Sequence, residues 1–77
     1  MGIKTEEFLK GDVYIDFPYE EVMFHFVKDS GKIFRKFYGD PLEDEVPHTS
    51  KLFAEAQIAG DLITAEQYLR GKEKRSL

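Results

Sequence analysis

Glu21-Val22-Met23-Phe24-His25-Phe26-Val27-Lys28-Asp29-Ser30-Gly31-Lys32-Ile33-Phe34-Arg35-Lys36-Phe37-Tyr38, residues 21–38, carries five aromatic and three β-branched side chains on either side of a polar, glycine-containing break. Such side chains suit a pleated, half-buried surface, so the stretch reads as two strands, 21–27 and 32–38. Between them Asp29 and Ser30 fit a type I turn, and Gly31 can take the left-handed conformation that closes a three-residue hairpin loop. That loop sets a register in which Val27 faces Ile33, His25 faces Arg35 and Met23 faces Phe37. The other face then carries Val22, Phe24, Phe26, Phe34, Lys36 and Tyr38. Neither face is polar. Slipping the register by one residue trades Ile33 and Phe37 for Phe34 and Tyr38 and still leaves both faces apolar. A sheet wetted on one side would alternate more cleanly.

Upstream, residues 12–17 alternate, with Val13, Ile15 and Phe17 on one side and Asp12, Tyr14 and Asp16 on the other. This is another strand of the same sheet, ended by Pro18, which has no N–H to give a ladder. Downstream, Gly39-Asp40-Pro41 closes the last strand, and residues 40–48, with Glu43, Asp44 and Glu45, read as an exposed acidic loop. Thr49 or Ser50 can cap a helix whose Leu52, Phe53, Ala56 and Ala59 recur at helical spacing, and Gly60 stops it. A second helix opens at Thr64, with Gln67 completing a capping box, presents Tyr68 and Leu69, and ends at Gly71. Residues 72–77 read as a frayed tail. The chain is therefore expected to be a single domain over 1–77 of the α+β class, a three-stranded antiparallel sheet followed by a helical hairpin.

Gly60-Asp61-Leu62-Ile63-Thr64-Ala65-Glu66-Gln67-Tyr68, with Leu77 after it, resembles the short C-terminal helical-hairpin motif called SHOCT. That motif runs from a Gly through a spacer to Ile-Thr, then acidic residues and an aromatic, and ends in Leu. Here the spacer is one residue longer, and alanines stand where the first helix of the motif has leucines. The resemblance covers about a third of the chain and implies an oligomerisation or docking element rather than an enzyme.

The whole chain has 77 residues, no Cys, no Trp and a formal net charge of −4. Without thiols there can be no disulfide framework and no thiolate metal site, which fits a cytoplasmic protein in a reducing compartment. No run approaches the ~20 apolar residues that span a bilayer, and the first residues lack the apolar core of a signal peptide. His25 and His48 with scattered carboxylates fall short of metal-ligand spacing, so neither a metal nor a cofactor is expected. There is no nucleophile motif and no glycine-rich phosphate loop, and Ser30, Ser50 and Ser76 fall in a turn, a cap and the tail. The carboxylate pairs, Glu20-Glu21 and those within 43–45, lie on surface segments with nothing to desolvate them. The chain does not read as an enzyme.

What remains is contact. A helical hairpin can roof only one face of the sheet, and leaving a Phe or Met uncovered forgoes about 1.5–3 kcal/mol each. An open face of three or four such residues exceeds what a monomer usually exposes. Phe24, Phe26, Phe34 and Tyr38, with Lys36 among them, are therefore expected to meet a partner protein, while Glu43, Asp44 and Glu45 tune selectivity for a basic one. The reading is a small acidic, non-enzymatic protein-binding module that masks or bridges its partner: an inhibitor, an immunity protein or a modulator of phage or plasmid type. A homodimer is one form of it. The competing arrangement folds the N-terminal Ile3, Phe8 and Leu9 beneath the sheet. The alternative function is single-stranded nucleic-acid binding through Arg35, Lys36 and a basic tail of Arg70, Lys72, Lys74 and Arg75. Against it, residues 41–66 hold six acids and one base, whereas phosphate calls for a basic footprint.

Overall fold

In the computed structural model, residue 3 and residues 6–73 are described. Strands form where the alternation places them: β1 spans Val13–Phe17, β2 Val22–Phe26 and β3 Ile33–Phe37. Pro18 ends β1 and opens a single 3-10 turn, Pro18–Glu20, and Glu21 at φ 53° swings the chain into β2.

The hairpin loop is one residue longer than expected. The Val27 N–H donates to the Lys32 carbonyl at 2.9 Å and the Gly31 N–H to the Val27 carbonyl at 2.7 Å, so residues 28–31 form the loop. Gly31 does adopt a left-handed φ of 73°. The extra residue slides the register to Phe26↔Ile33, His25↔Phe34, Phe24↔Arg35, Met23↔Lys36 and Val22↔Phe37. Because side chains alternate with period two, that slip moves every β3 residue to the opposite face relative to β2.

The sheet has five strands rather than three, in the order β4-β3-β2-β1-β5, with every neighbouring pair antiparallel. β4, Asp44–Val46, lies inside the expected acidic loop. Asp and Glu are poor strand formers, but an edge strand tolerates charge because one side of it faces water. β5, Asp61–Ile63, lies between the two expected hairpin helices and pairs with β1. Gly60 makes this possible through close approach, since its φ is an ordinary −84°. A Cβ there would sit 2.5 Å from the Ala56 carbonyl oxygen and 2.7 Å from Ile15 Cγ2.

The helices are α1 (Glu7–Lys10), α2 (Lys51–Ala59) and α3 (Ala65–Arg70). Ser50 caps α2 by accepting from the Phe53 N–H at 3.3 Å, and Thr64 with Gln67 forms a full capping box on α3. They do not form a hairpin. With β5 between them, α2 packs on one face of the sheet and α3 on the other. On the α2 face, Val13, Ile15, Phe17, Val22, Phe24, Ile33 and Val46 bury against Phe53 and Ala56. Ile3 and Phe8 close that layer, as in the competing arrangement, while Leu9 stays exposed. On the α3 face, Met23 and Tyr38 bury against Tyr68, flanked by Tyr14 and Ile63. Cover on both sides is why neither strand face is polar. Of the tail, Lys72 and Glu73 belong to the described residues, with the Lys72 carbonyl accepting from the Gly39 N–H at 2.7 Å. Lys74, Arg75, Ser76 and Leu77 lie outside them. No helix among the described residues is long and apolar enough to cross a membrane.

Candidate protein-docking site

α3 has only six residues and cannot cover its whole face of the sheet. Lys36 holds it in place. This side chain is buried and its ammonium donates to the Tyr68 carbonyl at 2.9 Å and the Leu69 carbonyl at 3.1 Å. Both are carbonyls at the C-terminal end of a helix, where a cation is favoured. Beside it, the Tyr38 hydroxyl donates to the Asp16 carboxylate, which also accepts from the Lys72 ammonium. Asp16 is only 4% exposed, so these two donors balance a charge that would otherwise be costly to bury.

Next along the face, His25 stacks on Tyr14 with ring centroids 4.3 Å apart and meets Asp12 through Nε2 at 3.0 Å. That hydrogen bond, joined by one from the Lys28 N–H, holds the Asp12 carboxyl below the usual carboxylate range. The Tyr68 hydroxyl donates to Glu43 Oε1 at 2.6 Å. Burial, and then this bond to a carboxylate, pushes the Tyr68 phenol far above its ordinary value; burial raises Tyr14 as well. Between α3 and residues 41–43 a cleft of about 390 Å³ opens over Tyr14 and His25, with Leu42, Glu43, Tyr68 and Leu69 around it.

The register slip scatters the expected aromatic face. Phe24 is fully buried at 0% exposure and Phe26 half-buried, both on the α2 side. Phe34, half-buried, and Tyr38, buried, lie on the α3 side. The four are therefore not one surface, and Phe24 is closed to any partner by the packing of Phe53, 5.3 Å away ring to ring. Lys36 and Tyr38 are engaged inside the fold. Glu43, Asp44 and Glu45 are all exposed, and strand alternation divides them. Glu43 and Glu45 lie on the α3 side, where Glu45 is opposite Phe34, and Asp44 turns toward Arg35 at 3.9 Å. Among the described residues, the basic side chains of the nucleic-acid reading already have partners: Arg35 faces Asp44, Lys36 carbonyls, Arg70 Glu66 at 3.3 Å and Lys72 Asp16. His48 bonds the Gly31 carbonyl across two loops, and no cluster of three metal-ligating side chains occurs among the described residues. Sequence reasoning missed the exposed Leu42 and Leu69. Leu69 follows Tyr68 directly, and adjacent helical residues do not share a face, so the burial of Tyr68 could have shown that Leu69 points away.

Residues 1–72 match the family model described as Tis1 immunity protein. The chain belongs to that family. A curated relative, the immune protein Tis1 of Pseudomonas aeruginosa (strain UCBPP-PA14), is 38% identical over 72 residues, covering 92% of this chain and 94% of its own. A chain in the crystal structure of the complex between the Type VI effector Tas1 and its immunity protein superposes with a TM-score of 0.89 at 35% identity. The match covers 97% of this chain and 100% of that one. The resemblance to SHOCT does not survive. The Tis1 family accounts for the whole stretch from 1 to 72, and β5 interrupts the pair of helices the motif requires.

Proposed function

We propose that this member of the Tis1 family is an immunity protein that binds a Type VI effector and masks it, by contact alone and without a catalytic step, in the cytoplasm of the cell it protects. The reading is carried by one observation: near-complete structural agreement, at 35% identity, with a chain from an effector–immunity complex. Relatives that share a third of their sequence over their full length keep the same framework, and a framework of this size has few surfaces with which to do its work. The contact we propose is the α3 face, where Phe34, Glu43 and Glu45 sit together beside the cleft. The acidic side chains would attract a basic effector surface and speed the encounter.

The test is expression of the matching Type VI effector in a sensitive host, with and without this chain. Restored growth and co-purification of the two proteins are the expected result. Continued toxicity with the immunity chain present at equal or higher amount would refute the reading. A self-contact is a second reading, favoured by the exposed Tyr19 and Ile58, which line one apolar recess, and by the exposed Leu62 on edge strand β5. Sedimentation of the isolated chain decides it: a dimer mass supports it and a monomer mass over a wide concentration range removes it.

A further inference from the structure

We propose that the cleft between α3 and residues 41–43 is a receptor for one long basic side chain, an arginine, presented by the effector. The effector as its source rests on the immunity reading above; the chemistry of the cleft does not. The lining of the cleft combines apolar side chains with a carboxylate. Leu42 and Leu69, 73% and 74% exposed, flank it and offer walls to methylene groups. In the same lining, one oxygen of Glu43 accepts from the neutral Tyr68 hydroxyl, and no cation among the described residues is paired with that carboxylate. Tyr14 also lines the cleft, and its hydroxyl has no hydrogen-bond partner among the described residues. An aliphatic stem ending in a flat cation with several donors matches that combination, and arginine is the side chain so built.

Charge around the cleft supports the sign of the ligand. Lys72 is paired with Asp16 and Arg70 with Glu66, while Lys36, which itself lines the cleft, donates to two neutral carbonyls and adds one positive charge. Against that one charge stand three acids with no cation partner among the described residues. Glu43 has a neutral donor, Asp40 accepts only a backbone N–H, from Leu42, and Glu45 has no partner among the described residues. The open charge is thus negative. Lys36 lies 5.3 Å from the centre of the Tyr68 ring and already takes its π-face, so the incoming guanidinium is placed against Glu43 and the Tyr14 hydroxyl instead.

The experiment uses the full chain and two probes, N-acetyl-arginine amide and its neutral citrulline analogue, followed by NMR of the Tyr14 and Tyr68 rings. Arginine amide should give saturable shifts at a Kd on the order of tens of millimolar, as suits one side chain without its protein. Citrulline should give none, and Glu43→Gln should weaken the arginine response several-fold, whereas Glu55→Gln on the α2 face leaves it unchanged. In the second arm, effector binding is measured for Glu43→Gln and Leu69→Ser, each expected to lose about tenfold in affinity. Equal shifts with both probes, or no saturable shift, overturn the proposal even when the effector binds normally. If arginine amide binds and the effector does not, the cleft stands and the immunity reading falls.

Discussion

Lys36 and Tyr38 show how far a residue's role depends on what lies above it. On a bare strand they read as a basic and an aromatic contact; under α3 they become fasteners. Replacing Lys36 with Met should leave the carbonyls of Tyr68 and Leu69 without their donor and cost about 1–3 kcal/mol, read from the urea midpoint. Phe24→Ala, at a site with no exposure, should cost about 3–5 kcal/mol by the same measurement. Tyr68 adds a pH signature. Its folded pKa lies far above the ordinary 10.0, so its contribution is complete below pH 10 and is lost as pH rises above that value, where the unfolded chain ionises first. Wild-type stability should therefore fall with pH above 10, and Tyr68→Phe should flatten the decline. Asp12 runs the other way: with its folded pKa lowered, what it contributes is present above the ordinary 3.8 and lost as pH falls through the lower folded value.

At the scale of elements, the signals that succeeded are local and those that failed are not. The strands around Val13–Phe17, Val22–Phe26 and Ile33–Phe37, the Ser50 cap and the Thr64–Gln67 box all follow from neighbours a few residues apart in the chain. β4 and β5 have three residues each and exist because a longer strand already lies alongside to pair with. Nothing within three residues can announce that. The β2–β3 register failed differently: Asp29, Ser30 and Gly31 suit loops of three or four residues equally, and the choice between them decides which face every following side chain takes. Gly60 is the joint on which β5 depends. Gly60→Ala should cost about 1–3 kcal/mol by overpacking against Ile15 and the Ala56 carbonyl, a larger loss than a helix-stop glycine would show, and thermal unfolding will measure it.

For the molecule as a whole, the sum over side chains had the right input and the wrong roof. The apolar excess on the sheet is real, but a strand placed between the two helices sends them to opposite faces, so most of that excess is buried internally. The candidate site was legible only in part: the exposure of Glu43, Asp44 and Glu45 followed from their charge, whereas the cleft beside Glu43 needs α3 and residues 41–43 brought together across 25 positions of chain, as the Tyr68–Glu43 hydrogen bond does. If the acidic edge steers an effector, reversing Glu45, which lies outside the cleft, to Lys should slow association several-fold at low salt and change dissociation less, with the difference shrinking as salt rises. Stopped-flow mixing at several ionic strengths checks this, and a salt-independent rate would remove the steering. By itself the sequence determined the three central strands, the capped starts of two helices and the acidity of residues 43–45, because each is set by interactions between near neighbours. Only the tertiary structure decided the strand register, the two edge strands and the face each aromatic occupies, because those depend on which distant backbone happens to be within hydrogen-bonding reach.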